Sequence, residues 1–424
     1  MMKETAQRAK KAAMKLSAVT GERKNAALEA IARRLERDKS HIFTANDLDV
    51  QAAGKQRLPA PLIHRLAFGE AKMAAVQDGL KALAALPNPV GRVTLARELT
   101  PGLNLYRVVC PIGVIGVIFE SRPDALVQIA SLCIKSGNAA LLKGGSEAVH
   151  TNRALFDVLC GALADTDFPA DTLSLLETRD EVGMMLKLED DIDLIIPRGG
   201  NDFVRYIIKN SRIPVLGHAD GVCHVYVDKA CDINMAVQVA ADSKIQNVSV
   251  CNAMETLLVH EEAAERFLPD FYKVMDRSQV KLHGCERACA VIPCIHAETA
   301  DWRREYLDYQ LAVRVVRSLD DAIEHINTYG SGHTDVIVTS DDQRAERFMT
   351  LVDSAGVFRN CSTRFSDGYR YGFGAEVGVA TGKLHARGPM GLEGLCTYKY
   401  KLIGSGQTVA DAESGRFVYT HMDL

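Results

Sequence analysis

The stretch PIGVIGVIFESRP, residues 111–123, decides the fold of this chain. Its apolar run from Ile112 to Phe119 contains two glycines and no charge, which predicts a strand buried on both faces. Pro123 suits the first position of a helix, where the missing N–H of proline costs nothing. After that helix, Gly137-Asn138 turns the chain into a second apolar strand at 139–142. A strand, a crossover helix and another strand predict a parallel sheet with right-handed connections.

The same alternation continues along most of the chain, and we therefore predict an α/β fold with two parallel-sheet domains and a small hairpin. Residues 1 to 90 have apolar side chains three or four apart, which predicts helices. Residues 93–110 alternate around a Thr-Pro-Gly turn and predict a hairpin, which either reaches a partner subunit or forms a simple sheet edge. Further strands are predicted at 173–176, 194–197, 225–227, 256–260, 311–316, 335–339 and, in the tail, 396–402.

Length, composition and charge exclude several classes of protein. At 424 residues the chain exceeds one ordinary domain. A net charge of −4 gives no general reason to bind nucleic acid or an anionic membrane. The charged N-terminus lacks the apolar core of a signal peptide, and no run approaches the roughly 18 apolar residues of a membrane span. We therefore expect a cytoplasmic protein whose 11 cysteines are reduced thiols.

Two common nucleotide-binding motifs are missing from the sequence. No GxGxxG fingerprint follows any predicted strand. The segment Gly378-Val-Ala-Thr-Gly-Lys383 is one residue shorter than a Walker A loop and has no Ser or Thr after the lysine. If a dinucleotide binds, it is held without the usual glycine-rich loop. The absence of both motifs argues against a kinase and against an ordinary Rossmann dehydrogenase.

Cys251, in the loop SVCN at 249–252, is the candidate nucleophile because a loop fixed by a rigid sheet can aim a sulfur at a substrate carbon. The alternative is an inert buried thiol. Cys223 and His224 resemble a cysteine–histidine pair, but adjacent residues of a strand point to opposite faces. Cys285, Cys289 and Cys294 lack zinc-site spacing, and no metal site is predicted.

Charged residues at the carboxyl ends of the first two core strands predict an anion site. Arg122 stands at a helix N-terminus, where open α/β sheets place ligands such as phosphate. A structural pair of Arg122 with Glu120 is the alternative. Lys143 ends the next strand, and Gly144-Gly145 lets a ligand approach the backbone closely. A solvated lysine is the alternative there.

At this point the chain resembles the gamma-glutamyl phosphate reductases, a branch of the aldehyde dehydrogenase superfamily that catalyses the second step of proline biosynthesis. The resemblance covers essentially the whole chain, in order. Several of the matching blocks are specific to the branch. The blocks are PIGVIGVIFESRP (111–123), GHADG (217–221), CNAMET (251–256), YGSGHTD (329–335) and HARGPMGLE (385–393).

The resemblance implies a role for several residues. Cys251 is the nucleophile, Lys143 reaches the adenosine ribose and Glu305 the nicotinamide ribose. NAD-preferring relatives carry a glutamate for the ribose hydroxyls where this chain has Ser146. Loss of that carboxylate admits a 2′-phosphate, so NADPH is the expected cofactor, although Glu147 lies next to that position.

Two departures from the oxidising aldehyde dehydrogenases fit a reductase. Their glutamate base, which activates water to hydrolyse the thioester, has no counterpart in Gly217–Gly221. In the oxidising enzymes an asparagine side chain donates a hydrogen bond to the oxyanion, and this chain has Arg122 at the corresponding position. An arginine can stabilise both an oxyanion and a departing phosphate. The implied mechanism is attack of the Cys251 thiolate on L-glutamyl 5-phosphate, loss of phosphate, and reduction of the thioester by NADPH to glutamate 5-semialdehyde.

The substrate's own charged groups need partners. Arg364 and Arg387 are the candidates for its carboxylate, since a guanidinium binds a carboxylate through two hydrogen bonds. Structural ion pairs would explain both arginines nearly as well. His218, His333 and His385 are able to carry protons, but for each of them we expect a hydrogen-bonded packing role.

The resemblance also implies the domain organisation and the partners. Residues 1–223 form the cofactor-binding domain with the hairpin at 93–110, residues 224–395 form the catalytic domain, and residues 396–424 form a tail with an oligomerisation strand. A homodimer or larger assembly is expected, and functional coupling to glutamate 5-kinase is open. The alternatives are an oxidising aldehyde dehydrogenase, a cysteine hydrolase that uses Cys251 and a histidine, and a non-catalytic assembly or regulatory partner.

Overall fold

The computed structural model describes residues 2–120, 122–374 and 376–424, with their side chains except those of residues 60 and 61. The chain splits into two compact units. Unit 1 contains Met1–Leu216, Phe373–Gly378 and Met390–Leu424, and unit 2 contains Gly217–Gly372 and Val379–Pro389. The structural boundary therefore comes before the expected one at residue 223. Part of the segment expected to belong to the catalytic domain returns to unit 1.

Helices dominate the first part of unit 1, as the apolar spacing predicts, and cross between strands in both units. In the described part of the chain the α-helices are α1 (Met2–Leu16), α2 (Gly21–Arg37), α3 (Lys39–Lys55), α4 (Ala60–Leu66), α5 (Glu70–Ala85), α6 (Pro123–Ser136), α7 (Val149–Ala164), α8 (Arg179–Met185), α9 (Asn201–Asn210), α10 (Ile233–Ile245), α11 (Glu261–Arg277), α12 (Glu286–Cys289), α13 (Leu319–Tyr329), α14 (Asp342–Leu351) and α15 (Val409–Glu413).

Strands form one parallel sheet in each unit, an antiparallel sheet in unit 1 and a small two-stranded pair. In the same described residues the strands are β1 (Val93–Thr100), β2 (Leu103–Pro111), β3 (Val114–Phe119), β4 (Ala139–Lys143), β5 (Leu173–Leu176), β6 (Leu194–Arg198), β7 (Cys223–Val227), β8 (Met254–His260), β9 (Lys281–Gly284), β10 (Ile295–His296), β11 (Gln310–Val316), β12 (Thr334–Val338), β13 (Gly356–Arg359), β14 (Gly378–Ala380), β15 (Gly388–Met390), β16 (Cys396–Ile403) and β17 (Met422–Asp423).

The parallel sheet of unit 1 has the order β5-β4-β3-β6. Every residue of β3 and β4 is buried, which explains their continuous apolar sequences. A Cβ on Gly116 would lie 2.6 Å from Ile195 Cδ1, so this glycine lets the neighbouring strand pack closely. Pro123 begins α6 as predicted, and Gly137 ends it with a φ of 80°.

The predicted hairpin and tail strand meet in a separate antiparallel sheet of unit 1. Its order is β16-β2-β1-β17. The turn at Thr100–Gly102 joins β1 and β2, and β16 pairs with β2 along its whole length. Tyr398, Tyr400 and Leu402 of β16 are exposed. The tail therefore completes a sheet of this unit rather than forming a separate element.

The sheet of unit 2 has seven parallel strands in the order β10-β9-β11-β8-β7-β12-β13. Strands β7, β8 and β12 at its centre are buried throughout. One side of the sheet packs against the stacked rings of Phe267 and Phe271 in α11. The short strands β9, β10 and β13 were not predicted, because two to four residues carry too little periodicity.

Two further observations concern the chain as a whole. Among the described residues, no helix is both long and apolar enough to span a membrane. Cys289 and Cys294 form a disulfide in unit 2. This pairing differs from the expectation that all the cysteines are reduced, and sequence spacing alone does not reveal it.

Candidate functional site

Cys251 is a free, half-buried thiol in the loop between α10 and β8 of unit 2. The loop precedes a strand that is buried from end to end. Its backbone is therefore fixed on one side by the sheet, while the sulfur keeps partial access to solvent. The structure thus places the predicted nucleophile where a substrate can reach it.

Gly221 allows the segment Gly217–Gly221 to lie against the Cys251 backbone. A Cβ at position 221 would meet Cys251 O at 2.2 Å and Cys251 Cα at 2.6 Å. Both neighbours are backbone atoms, which cannot rotate away as a flexible side chain can. A glycine is therefore required at this point.

Buried hydrogen bonds hold the residues on either side of the sulfur. Cys223 donates its thiol hydrogen to Cys251 O at 3.3 Å, and burial raises its pKa well above the usual value, so it stays a protonated donor. Asn252 donates to Ser366 O at 2.8 Å, and Thr363 donates to Asn252 O at 2.6 Å. The position of the Cys251 loop thus depends on the segment at 362–366.

His218 and His333 lie beside the Cys251 thiol. One nitrogen of each ring and the sulfur all fall within 4.8 Å of one another. The rings meet edge to face with centroids 4.9 Å apart. His333 is fully buried and follows Gly332, and His218 is half-buried. His218 and His333 therefore line the Cys251 thiol, whereas His385 is exposed.

His224 does not cooperate with Cys223, its neighbour in β7. Its Nδ1 contacts Asp335 Oδ1 at 2.8 Å, deep in unit 2. Cys223 instead contacts the Cys251 loop. The two side chains have separate partners, as the alternation of a strand predicts.

Arg364 and Arg387, the two candidates for the substrate carboxylate, have different surroundings. Arg364 is buried, its Nε donates to Gln246 Oε1 at 2.8 Å, and its electrostatic neighbours include the Cys251 sulfur. Burial, followed by the charge of Arg370, lowers the pKa of Arg364. Arg387 is tied to Asp353 at 3.0 Å, as a structural ion pair would be. The charges of Arg364 and Cys251 therefore act on each other, and Arg387 has an acidic partner.

A buried ion pair that the sequence did not predict supports the other side of the same loop. Lys244 Nζ and Glu255 Oε2 are 2.7 Å apart, and both side chains are fully buried. Glu255 Oε1 also accepts a hydrogen bond from Leu307 N at 3.1 Å. Burial raises the pKa of Glu255 to about 7, and the charge of Lys244 opposes that shift.

Leu307 lies close in sequence to Glu305, the residue predicted to bind the nicotinamide ribose. Glu305 is half-buried, and its charge acts on Glu255. The pair of Lys244 and Glu255 thus anchors the segment that carries Glu305. The only signal in the sequence is a lysine and a glutamate inside otherwise apolar helix and strand patterns, which no periodicity rule assigns to each other.

Unit 1 has its candidate residues at the carboxyl ends of β3 and β4. Glu120 accepts a hydrogen bond from Gly200 N at 3.0 Å, where α9 begins. Loss of hydration lowers the pKa of Arg122, the charge of Asp124 opposes this shift, and the charges of Arg198 and Arg65 add to it. Arg122 thus stands among charges of both signs at the start of α6, and a helix N-terminus suits an anion.

Lys143 and the glycines after it form the second part of this rim. Lys143 is buried, and its ammonium donates to Gly144 O. Burial lowers its pKa, and the charges of Glu147 and Glu181 oppose that shift. A Cβ on Gly145 would lie 2.1 Å from a carboxylate oxygen of Glu147. Ser146 is exposed and has no carboxylate, and among the acidic residues Glu147 has the largest charge effect on Lys143.

Each set of residues allows a definite chemistry. A thiol with imidazoles beside it can act as a nucleophile whose proton is taken up nearby, and the same set of sulfur and nitrogen atoms suits a thiophilic metal ion. The rim of unit 1, with a lysine, an arginine and glycines without side chains, suits a phosphorylated ligand. Such residues fit a nicotinamide dinucleotide.

Comparisons with known proteins agree with these features. The sequence profile of the aldehyde dehydrogenase family matches residues 1–314. The gamma-glutamyl phosphate reductase of Pelotomaculum thermopropionicum is 60% identical over 423 residues, which cover 100% of this chain and 98% of that protein. The crystal structure of gamma-glutamyl phosphate reductase from Thermotoga maritima superimposes with a TM-score of 0.94 at 38% identity, covering 96% of this chain and 99% of that one.

A more distant structure shows the fold alone. The glyceraldehyde-3-phosphate dehydrogenase of Methanocaldococcus jannaschii, solved in complex with NADP, has a TM-score of 0.67 at 17% identity and covers 95% of this chain and 94% of its own. The family match and the full-length relatives, unlike this likeness of fold, identify the family of the chain. The chain belongs to the gamma-glutamyl phosphate reductases of the aldehyde dehydrogenase family.

Proposed function

We propose that the chain reduces L-glutamyl 5-phosphate to L-glutamate 5-semialdehyde with release of phosphate, the second step of proline biosynthesis. One observation carries the proposal: Cys251 is an accessible free thiol packed against a Gly217–Gly221 segment that contains no glutamate. An enzyme that reduces its thioester must not hydrolyse it, so a missing base in this segment favours reduction. Full-length relatives of the same name support the substrate.

Cys251 forms the covalent bond to the substrate. Its thiolate attacks the acyl carbon, the bond to the phosphate oxygen breaks, and phosphate leaves with the electron pair, giving a thioester. The hydrogen bonds of Cys223 and Asn252 hold the loop in one position during this step. A fixed nucleophile lowers the entropy cost of the attack.

NADPH is the proposed cofactor, since the family uses nicotinamide dinucleotides and residue 146 is not acidic. When bound, it supplies the hydride that converts the thioester to a thiohemiacetal, which releases the aldehyde. Lys143, Ser146 and Glu305 are the proposed contacts to the two riboses and the 2′-phosphate. Gly144 and Gly145 keep the backbone accessible.

Arg122 and Arg364 are proposed to bind the charged groups of the substrate. The guanidinium of Arg122 and its position at the N-terminus of α6 suit the leaving phosphate and the oxyanion. Arg364 is the better candidate for the carboxylate, because its charge interacts with that of Cys251 while Arg387 is held by Asp353. We expect Arg364→Gln to raise KM for the semialdehyde by about 10-fold or more, since charged hydrogen bonds are the strong ones. Arg387→Gln is the matched control.

A homo-oligomer is proposed because of the exposed apolar residues on β16. This strand pairs with β2 on one side, and Tyr398, Tyr400 and Leu402 remain exposed in the single chain. An apolar edge strand of this kind favours covering by another chain. Sedimentation of the wild type and Tyr400→Asp tests this, and an unchanged monomeric mass for both would contradict it. The kinase that makes the acyl phosphate is the expected functional neighbour.

The first experiment measures the reverse reaction. Purified protein is mixed with glutamate 5-semialdehyde and NADP⁺, with and without phosphate, and NADPH formation is followed. We expect phosphate-dependent turnover that Cys251→Ala abolishes and that the control Cys231→Ala, at another half-buried free thiol, retains. Turnover without phosphate would mean that water hydrolyses the thioester, as in an oxidising aldehyde dehydrogenase. No turnover by folded protein would contradict the proposed function.

A further inference from the structure

The sulfur of Cys251 and one ring nitrogen each of His218 and His333 lie within 4.8 Å of one another. They come from separate loops, which precede β7, β8 and β12 in the sheet of unit 2. We propose that these residues form a binding site for Zn²⁺, and that the bound ion withdraws Cys251 from the reaction. The binding itself does not depend on the proposed function.

A second observation points independently to a ligand. His333 is fully buried, and its Nε2 has no hydrogen-bond partner among the described residues. Its Nδ1 contacts Thr334 Oγ1 at 2.9 Å, so the other nitrogen is the one left for a ligand. A buried ring nitrogen without a partner is unfavourable in a folded protein, and a metal ion would satisfy it.

The hydrogen bond of His218 prepares that ring for the same purpose. Its Nδ1 lies 2.8 Å from Val379 O, which can only accept a hydrogen bond. The proton of the neutral ring is therefore on Nδ1, and the lone pair is on Nε2. Histidines that bind zinc usually donate their other ring N–H in this way to a carbonyl or carboxylate.

The distances are compatible with zinc after small side-chain rotations. Zn–S bonds of about 2.3 Å and Zn–N bonds of about 2.0 Å in a tetrahedron put the ligand atoms roughly 3.5 Å apart. The distances between the three ligand atoms, now at most 4.8 Å, can be shortened by rotations about the side-chain bonds of Cys251 and His218, which are only half-buried. The three ligands leave the fourth position for water.

Coordination changes the chemistry of Cys251 without any redox step. The thiol releases its proton to solvent, a bond forms between the thiolate sulfur and Zn²⁺, and no electron is transferred. The sulfur electron pair that would attack the acyl carbon is then engaged. Zinc bound here would therefore inhibit reversibly and would protect Cys251 from alkylation.

The test uses Co²⁺ as a coloured substitute for Zn²⁺ on the full-length chain, without chelating thiols in the buffer. We expect one Co²⁺ per chain, with the near-ultraviolet absorption of a thiolate–cobalt bond, displaced by Zn²⁺. Cys251→Ser should abolish this band, and His218→Ala and His333→Ala should each weaken binding at least about 10-fold. Buffered Zn²⁺ should slow the alkylation of Cys251 by iodoacetamide, measured by mass spectrometry.

Two controls exclude other sulfurs. Cys223→Ser tests the thiol next to the loop, and the double variant Cys289→Ser/Cys294→Ser tests the disulfide cysteines, which could bind metal if reduced. Both should keep the band. A band that survives Cys251→Ser, or is unchanged in both histidine variants, would overturn the proposal, as would its absence in the wild type. Since the spectrum needs no substrate, its failure is distinct from a failure of phosphate-dependent turnover.

Discussion

The two parallel sheets present their candidate residues at opposite ends of their strands. In unit 1, Arg122 follows β3 and Lys143 is the last residue of β4, so both lie at the carboxyl edge of the sheet. In unit 2, Gly221, Cys251 and His333 precede β7, β8 and β12, at the amino edge. The carboxyl edge is where open α/β sheets usually bind ligands, so only unit 1 follows the general rule.

The two edges are also held differently. The rim of unit 1 consists of glycines and of side chains at strand ends, and Ser146 is exposed to solvent. The Cys251 loop instead depends on buried hydrogen bonds and on the ion pair of Lys244 and Glu255. We therefore expect substitutions in unit 2 to affect stability and geometry, and those in unit 1 to affect cofactor binding.

The largest expected effect is that of Lys244→Ala. It leaves the buried Glu255 carboxylate without its cation, which costs about 3–5 kcal/mol. Lys143→Ala, at a buried lysine of unit 1, should cost about 1 kcal/mol or less and mainly raise KM for NADPH. Trp302, the single tryptophan, lies in unit 2, so its fluorescence during urea unfolding reports this unit.

A rescue variant separates the charge from the packing. Lys244→Met/Glu255→Gln removes both charges and keeps an acceptor for Leu307 N, so most of the stability should return. If Lys244→Ala unfolds at the same urea concentration as the wild type, the contrast between the two units is wrong.

The second prediction compares two glycines. Gly221→Ala puts a Cβ against the Cys251 backbone and should lower kcat about 100-fold, the effect expected of a misplacement near 1 Å. Gly145→Ala meets only the mobile end of Glu147 and should change kcat less than about 3-fold. Circular dichroism checks that both variants fold. If both variants lose kcat to the same extent, a methyl group disturbs the two edges equally and the expected difference between them is wrong.

The sequence predicted the unit 1 rim better than the unit 2 site, for a physical reason. The apolar run ending at Phe119, the helix-starting Pro123 and the strand ending at Lys143 are local signals, so their placement followed from periodicity and turn residues. Cys251 was found as a loop cysteine before an apolar strand, and its role came from the family resemblance.

What the sequence could not show are contacts between distant loops. His218, Cys251 and His333 lie in separate loops, and their spacing matches no metal motif. The pair of Lys244 and Glu255 joins a helix end to the following strand across the Cys251 loop. The meeting of the three loops depends on strand order in the sheet, and the pairing of Lys244 with Glu255 depends on the path of the Cys251 loop. Hydrophobic patterning specifies neither.

The third prediction concerns pH. The pKa of Glu255 is raised by burial from its usual 4.5 to about 7, so between these values the native state holds more protons than the unfolded chain. Stability should therefore fall as pH rises from 5 to 7, by no more than about 1.4 kcal/mol per pH unit from this group. Lys244→Met/Glu255→Gln should flatten this decline, measured by Trp302 fluorescence in urea at each pH. If the double variant loses stability with pH as steeply as the wild type, the decline is due to groups other than Glu255.

The smallest effect is expected at Ser146, on the exposed edge of unit 1. Ser146→Glu adds a carboxylate where a 2′-phosphate is proposed to bind, and it should shift the kcat/KM ratio of NADP⁺ to NAD⁺ about 5-fold toward NAD⁺, or about 1 kcal/mol, because exposed charges are screened. Ser146→Gln has the same size without the charge and should change the ratio little. The shift should shrink in 0.5 M salt, since the Debye length falls to about 4 Å. An equal shift with Ser146→Gln would mean that the carboxyl edge acts through packing, as the amino edge of unit 2 does.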